Sequence, residues 1–361
     1  MKLLKSEAYK LFIKRYLIIV FIVCLIAEAG ISFHAANKIK LDNADAQDKY
    51  ESYMSMYSGE ITEEKQAEID KLLSDDEAMS STKDELIEKY INREITDEEY
   101  EKQMKIYNEH MIGRGGFLQF IADFENTVGS DKYLMDQKPW GVLFGNESID
   151  FILVFFIILS ATLLSVYDEE SGANSITFPA TNGKGKKWFS QLVILVLTVA
   201  FVSVCISLIK YESVNIAYGL NNSDFAIHNI EVFFHSTKNL TLLQGYIVIS
   251  IIKALGAVYT CVLAFAIGSI LKQSLLTVFT SFSLIFLPNY IFPDREYKYL
   301  LPLPSAFLTA NGYLFGDNIN DIIYFKSLTN NQIAAVAVLS VIIVALLIVT
   351  SYFKIARRKS L

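Results

Sequence analysis

Six long apolar runs are spread along the chain, and polar stretches of very different length separate them. A helix needs about 20 mostly apolar residues to cross a hydrocarbon core of roughly 30 Å. Six segments meet this requirement, and we predict that they are membrane-spanning helices: residues 16–36, 149–167, 188–209, 242–267, 274–292 and 332–353. The pattern therefore predicts an all-α polytopic membrane protein with six transmembrane helices.

The fourth and fifth runs are separated by a short polar connection, residues 268–273. Ser269, Lys272 and Gln273 supply its polar side chains. Two interpretations stay open, because this connection is either a turn between two helices or a break within one long helix.

The longest polar stretch, residues 37–148, has a helical pattern rather than a disordered one. Four apolar residues between positions 100 and 111 recur at steps of four, three and four, which places them on one face of a helix. Capping-box spacing occurs at three places: Thr96 with Glu99, Thr82 with Glu85 and Ser74 with Glu77. We therefore expect a helical extracytoplasmic insert, marked by three short helices, between the first and second spans.

The last part of this insert, residues 115–145, is rich in aromatic side chains. They are Phe117, Phe120, Phe124, Tyr133, Trp140 and Phe144. Because aromatic rings gather at the membrane interface, we expect this part to lie along the outer membrane surface. The insert as a whole is either a solvated helical spacer or a domain that gathers substrate or binds a partner.

Composition and charge support a membrane protein with one polar domain. The 361 residues are 52% hydrophobic and only 20% charged, which is too apolar for a soluble chain. The formal net charge of −7 is uneven, because residues 37–148 contain 26 acidic and 13 basic residues. The three cysteines, Cys24, Cys205 and Cys261, lie inside apolar runs, so no disulfide framework is expected in the insert.

The positions of lysine and arginine predict the orientation. Basic residues in short loops stay on the cytoplasmic side of a membrane. They cluster in residues 1–15, 168–187, 268–273 and 354–361, which all lie on one side if both termini are cytoplasmic. We therefore expect a multi-pass plasma-membrane protein whose outside loops are residues 210–241 and 293–331. The first apolar run is long enough to be a retained anchor rather than a cleaved signal peptide.

No catalytic or metal-binding constellation is evident in the sequence. The four histidines have no ligand spacing. The Gly183–Lys187 stretch lacks the Walker spacing, because Phe178 and Ala180 occupy the places where a glycine would be needed. The chain is therefore expected not to be an enzyme, and to hold no metal, cofactor or nucleic acid itself.

An acidic segment follows the second span directly, on the side that favours cations. Asp168, Glu169 and Glu170 can begin a short helix, since negative charge is favourable at a helix N-terminus. Ile176 and Phe178 then offer apolar contacts. Pro179 would end this segment, which is either a short amphipathic helix or an ordinary loop turn.

The order of these features resembles the permease subunits of type-2 ABC transporters. It comprises the basic amphipathic N-terminus of residues 1–15, a span, an outside segment, a second span, Glu169-x-x-Gly172, Phe178-Pro179, a basic cluster and four further spans. Gly172 is followed by Ala173-Asn174, where the family usually has Thr-Leu, and Ser190-Gln191 stands in place of the usual Gly-Lys. The outside segment is also longer than is common, as in peptide-handling or immunity-type permeases of Gram-positive bacteria.

The resemblance implies a function for the acidic segment and a set of partners. Residues Asp168–Pro179 would form the coupling helix that docks on a separate ABC ATPase subunit. ATP and Mg would then be bound by that partner. A second permease chain, identical or different, would complete the transport pathway in the lipid bilayer.

The loop of residues 293–331 is expected to contain short re-entrant or interfacial helices, as the resemblance implies. Its prolines break regular helix and its apolar residues supply a packing face. The candidate outer-gate residues are Pro302, Pro304, Phe307, Tyr313 and Phe315. The alternative is a passive interfacial loop.

Glu28 and Lys253 are ionisable residues deep within predicted spans, where charge is costly and usually functional. Glu28 in the first span and Lys253 in the fourth lie at similar depths. We expect both to face the bundle interior and to pair, within one chain or across a dimer. Snorkelling of each side chain to the nearer interface is the alternative.

The leading hypothesis is the membrane half of an ATP-driven exporter. The alternative is a membrane-anchored sensor or scaffold whose outside domain binds a ligand or protein. A membrane-embedded enzyme is disfavoured, because no cluster of histidine, aspartate and glutamate occurs within the spans.

Overall fold

A computed structural model describes residues 2–128, 133–145, 149–171, 183–230, 233, 236–292, 295–314 and 328–356. The chain divides into two compact units. One, here called the bundle, contains residues 1–35 and 140–361, and the other, the insert, contains residues 36–139. The insert therefore ends nine residues earlier than the predicted boundary at residue 148.

The described residues are predominantly helical. The helices are α1 Lys2–Tyr9, α2 Leu17–Lys38, α3 Ala44–Tyr57, α4 Glu63–Ile91, α5 Asp97–Met111, α6 Arg114–Val128, α7 Lys138–Phe144, α8 Phe151–Ser165, α9 Tyr167–Glu170, α10 Gly183–Ala217, α11 Leu242–Leu271, α12 Ser274–Ile291, α13 Arg295–Leu300, α14 Pro304–Thr309 and α15 Asn330–Ala356. A π-helical turn, Lys10–Lys14, follows α1, and 3-10 turns occur at Ile227–Asn229 and Asn311–Tyr313. Two short strands, β1 Gly59–Glu60 and β2 Tyr133–Leu134, pair in antiparallel register.

Within the described residues, five helices are long and apolar enough to cross a membrane: α2, α10, α11, α12 and α15. These helices indicate a multi-pass membrane protein. The second predicted span corresponds to α8, an apolar helix of only 15 residues. Asp150 is its N-cap residue, whose carboxylate accepts a hydrogen bond from the Leu153 amide at 3.0 Å, and α8 ends before the separate helix α9.

The fourth and fifth apolar runs form two separate helices. Lys272 ends α11 in the left-handed conformation, with φ of 61°, and its amide bonds to the Gly268 carbonyl. Gln273 is extended and α12 begins at Ser274. A left-handed residue followed by an extended one reverses the chain, so the connection is a turn between two helices.

The bundle core is formed mainly by α8, α10 and α11, which pack closely on one another. Its buried residues include Phe156, Ile157, Leu195, Val199 and Phe265. Many apolar side chains on α2, α12 and α15 are instead exposed. Such faces are expected where lipid or another helix replaces water.

The insert has a hydrophobic core of its own. Its buried residues are Tyr50, Met54, Ile61, Ile69, Phe117, Phe120, Ile121, Phe124 and Leu134. Helices α3 and α6 approach closely at Gly116, where an added Cβ would lie 1.8 Å from the Ala46 carbonyl oxygen. Only glycine permits this separation of the two backbones.

Five of the six aromatic residues predicted to lie along a membrane surface are buried, and Tyr133 is 37% exposed. Phe117, Phe120 and Phe124 are at most 4% exposed and belong to the insert core. Trp140 and Phe144 are buried within the bundle. A helical insert of this length needs large apolar side chains to stabilise its own core, which explains the first three rings. The position of residues 115–145 along a membrane surface stays a prediction.

The three expected capping boxes have different outcomes. Thr96 and Glu99 form a capping box at the start of α5, as predicted. Ser74 and Thr82 do not begin helices, because both lie inside the 29-residue helix α4 and donate to the carbonyls of Lys71 and Ala78. The prediction of three short helices is therefore wrong, since a capping-box spacing is also compatible with a helix interior.

A buried carboxylate links three helical elements of the insert. The Asp76 side chain on α4 is 4% exposed and accepts hydrogen bonds from Arg114 at 2.8 Å and from the His110 ring at 3.0 Å. Burial opposes ionisation of Asp76, but the hydrogen bonds and charges of Arg114 and His110 outweigh it and lower its pKa. Asp76 is therefore ionised in the folded insert at neutral pH.

We predict that Asp76 contributes to the acid sensitivity of the insert. A folded-state pKa below the ordinary aspartate value of about 3.9 stabilises the fold above that value, and the contribution is lost as pH falls through the lower folded pKa. Thermal unfolding of the full-length protein in detergent, followed from pH 7 downwards, should show a fall in the insert's transition temperature below about pH 4. At pH 7 the free energy of unfolding of the Asp76→Asn variant should be lower by about 3 kcal/mol. The variant should also lack this part of the pH dependence. An identical acid dependence in both proteins would contradict the assignment.

Candidate functional site: charged clusters in the helix bundle

A buried ionic cluster joins three segments of the bundle beside the C-terminal end of α8. Asp168 on α9 bonds to the Arg15 guanidinium, which precedes α2, and lies 2.8 Å from the Lys187 ammonium on α10. Arg15 also donates to the Leu163 carbonyl of α8. We call Arg15, Asp168 and Lys187 the Asp168 cluster.

Asp168 is ionised in this cluster. Burial alone would raise its pKa, because a charged carboxylate loses its hydration. The hydrogen bond from Lys187 and the positive charges of Arg15, Lys187 and Lys10 outweigh burial and lower the pKa. The cluster therefore holds one negative and two positive charges, with side chains at most 12% exposed.

The two glutamates after Asp168 bind the turn between α11 and α12. Glu169 accepts from the Lys272 ammonium at 2.7 Å. Glu170 accepts from the Ser274 amide at 2.7 Å and from its hydroxyl at 2.5 Å, so it caps the first turn of α12. Each acidic residue of α9 thus contacts a different partner within the chain.

The N-terminal segment, residues 2–15, is held on the first part of α10. Glu7 is 1% exposed, pairs with Lys10 at 2.8 Å and accepts from the Gln191 amide at 3.1 Å. Leu11 is fully buried one turn later. These contacts place α1, α9 and the start of α10 in one assembly.

The structure brings together only part of the predicted coupling segment. Asp168, Glu169 and Glu170 are used in intramolecular contacts. Gly172, Ile176, Phe178 and Pro179 lie outside the described residues. These four residues belong to the connection between α9 and α10. The Asp168–Lys187 ion pair joins the two helices directly, so a displacement of α9 would be transmitted to α10.

We predict that Asp168→Asn loosens the N-terminal segment. The substitution leaves Arg15 and Lys187 without their buried counter-charge, so it should cost about 3 kcal/mol of stability. Because the Arg15 side chain is 5% exposed, trypsin should cleave slowly after it in the native protein and several-fold faster in the variant. Glu170→Gln is the matched control, since an amide oxygen still accepts from Ser274. Equal cleavage of all three proteins would contradict the role of Asp168.

A second charged cluster lies near the opposite end of α8. The Lys210 ammonium on α10 lies 2.7 Å from Asp150 at the start of α8 and 3.3 Å from Glu28 on α2. Glu28 is 3% exposed and also accepts from the Ser32 hydroxyl. We call Glu28, Asp150 and Lys210 the Lys210 cluster.

Lys253 is not the ion-pair partner of Glu28 in this structure. It lies on the same face of α11 as the buried residues Tyr246, Ile249 and Gly256. Among the described residues it forms no ion pair, because Lys210 occupies both carboxylates. The expected Glu28–Lys253 pair within one chain is therefore replaced by Glu28–Lys210, whose charged atoms lie 3.3 Å apart.

A double-mutant cycle should distinguish these two lysines. Lys210→Met alone leaves two buried carboxylates unpaired and should cost about 3–5 kcal/mol. In a cycle with Glu28→Gln, Lys210→Met should show a coupling of about 0.5–3 kcal/mol, and Lys253→Met a smaller one. Unfolding in detergent micelles measures both cycles. A larger coupling to Lys253 would restore the original expectation.

The candidate outer-gate residues lie in a folded segment that packs along α11. The segment of residues 295–314 contains α13, α14 and the 3-10 turn, and Tyr259 on α11 donates to the Pro302 carbonyl at 2.9 Å. An added Cβ on Gly256 would lie 2.4 Å from Phe307 Cβ. Gly256 is about 21 Å from the start of α11, so the segment returns deep alongside this helix.

Aromatic packing and one asparagine fix this segment. Tyr313 stacks on Phe307 with ring centroids 5.8 Å apart, and Asn311 donates to the carbonyls of Phe144 and Gly145. Pro304 occupies the first turn of α14, where a missing amide is harmless. Phe315 lies outside the described residues.

The sequence analysis does not identify Lys210, Asp150 or Arg15 as members of the charged clusters. Lys210 lies one residue beyond the predicted end of the third span, so it does not count as a charge within a span. Asp150 was inside the predicted second span, and an aspartate there was a signal that could have been used. Arg15 contributes only to the predicted membrane orientation, because nothing in the sequence relates it to Asp168.

In the described part of the chain, no group of three or more histidine, cysteine, aspartate or glutamate residues is placed to hold a metal ion. Comparisons with known proteins do not add an assignment: no family model, curated protein or solved structure matches this chain.

Proposed function

We propose that this chain is the permease subunit of an ATP-driven ABC exporter. Its helices would form a translocation pathway, and a separate ATPase subunit would bind ATP and Mg and dock beside α9. The observation that carries the proposal is the connectivity of the acidic run Asp168–Glu170. Through the contacts of these three residues, a movement of the connection between α9 and α10 would reach the N-terminal segment, α8, α10 and the turn between α11 and α12.

The order of elements supports the same proposal. A helical N-terminal segment precedes α2, and the acidic helix α9 lies between two apolar helices. A segment that returns alongside α11 separates the last two long apolar helices, α12 and α15. These are the features that made the sequence resemble type-2 permeases.

The orientation and assembly follow from the proposal. The Asp168 cluster, both termini and the basic residues of segments 168–187 and 268–273 would lie in the cytoplasm. The insert would lie outside the plasma membrane of a bacterium. A second permease chain would pair with this one through exposed apolar helix faces. The exported molecule would cross between the two chains.

A second candidate is a membrane-anchored sensor or scaffold. The observation that favours it is the insert, whose hydrophobic core and buried Asp76 interactions make it a compact unit. In that case the insert would bind a ligand or protein, and the bundle would serve as its anchor.

Association with an ATPase separates the two candidates. The native protein, purified from its own membrane in mild detergent, should retain a subunit with a Walker-type nucleotide site. Phe178→Asp should reduce its recovery at least tenfold, because a charge would replace the proposed apolar contact. Asn221→Asp is the control, since this exposed residue lies in the connection between α10 and α11, far along α10 from α9.

The result also has a clear negative form. If no such subunit accompanies the native protein, the sensor becomes the better proposal. If a subunit is present but Phe178→Asp and Asn221→Asp retain it equally, docking occurs elsewhere and the coupling-helix assignment fails.

A further inference from the structure

We propose that the outward face of the N-terminal segment binds the headgroups of anionic phospholipids. This interaction surface comprises the exposed residues of the segment and is separate from the face that packs on α10. The inference does not depend on an ATPase partner. It requires only that the apolar helices of the bundle lie in a bilayer.

The segment has two faces with different partners. Its inward face carries Glu7 and Leu11, which are buried against the rest of the bundle. Its outward face carries Tyr9 and Ile13, which lie four residues apart and are 55% and 49% exposed. Tyr16, which follows the segment directly, is 66% exposed. An isolated apolar surface of this kind beside a spanning helix is stabilised when it enters the headgroup–acyl boundary of a bilayer.

The exposed apolar side chains continue from this face onto α2. Ile18, Ile19 and Ile22 are 42–55% exposed at the start of that helix. α2 is among the helices that are long and apolar enough to cross a membrane. The N-terminal segment is therefore followed directly in the chain by a surface that lipid would cover, and it lies where α2 would enter the headgroup layer.

The charges of the segment give the lipid class. Lys10 is paired with Glu7, and Arg15 is paired with Asp168, so these two cations are directed toward the protein. Lys5 and Lys14 are exposed, and neither forms an ion pair within the described chain. Two unpaired ammonium groups beside an apolar face suit a phosphate-bearing, negatively charged headgroup better than a zwitterionic one.

The inward pairs also explain why the segment would keep this orientation. Arg15 is bound to Asp168 and to the Leu163 carbonyl, and Glu7 is bound to Gln191. These contacts stop the segment from rotating about its axis. Lys5, Tyr9 and Ile13 recur at steps of four, so they are presented together on the side away from Glu7 and Leu11, and Lys14 directly follows Ile13.

Fluorescence quenching by brominated lipids tests the proposal. The full-length protein with Ile13→Trp is placed in nanodiscs that contain brominated phosphatidylglycerol or brominated phosphatidylcholine at equal content, and quenching of the parent protein is subtracted. We expect stronger quenching by the anionic lipid. Lys5→Gln with Lys14→Gln should lower the apparent preference at least tenfold, since each lysine near an anionic surface contributes about fivefold.

Matched variants separate lipid binding from loss of structure. Lys89→Gln with Lys105→Gln makes the same change in charge at exposed sites of the insert and should leave the preference unchanged. Lys5→Arg with Lys14→Arg should retain it. Slow tryptic cleavage after Arg15 in every variant would show that the segment stays on α10.

Three results would overturn the proposal. Equal quenching by the two lipids would show that the surface does not select anionic headgroups. Absence of quenching by either lipid would show that the segment lies away from the bilayer. A preference that survives Lys5→Gln with Lys14→Gln would show that other residues select the lipid.

Discussion

The arrangement of the bundle depends on keeping one buried carboxylate ionised. Asp168 lies immediately beyond α8, where its charge could not be stable without close cations. Arg15 and Lys187 supply them from segments 153 and 19 residues away in sequence. The cost of burying this charge is offset only when the N-terminal segment, α9 and α10 occupy their observed positions, so a single electrostatic requirement fixes three elements.

The Lys210 cluster imposes the complementary requirement at the other end of the same helices. There one lysine from α10 neutralises an acidic residue from α2 and another from the start of α8. One cluster contains two cations and one carboxylate, the other contains two carboxylates and one cation, and α10 contributes a lysine to each. Apolar packing between spanning helices tolerates sliding and rotation, whereas two ionic contacts separated by the length of α8 do not. The clusters therefore specify helix register.

The acidic run is the point where this framework meets the remaining helices. Glu169 and Glu170 reach the turn between α11 and α12, and α11 in turn carries the segment of residues 295–314 against Gly256. This connectivity gives the proposed ATPase contact a physical route into the bundle. The N-terminal segment belongs to the same assembly, which is why a lipid contact on its outward face would bear on the same helices.

The sequence alone determined the helical class, the positions of the apolar runs and the acidic character of the insert, because these depend on local periodicity and composition. It also determined the cap at Thr96, which involves residues three positions apart. It could not determine that Ser74 and Thr82 lie inside one long helix, since the same spacing is compatible with both states. Nor could it choose Lys210 over Lys253 as the partner of Glu28, because that choice depends on which helices are neighbours and how far each is shifted along its axis. The tertiary structure decided those distances, and with them the two clusters.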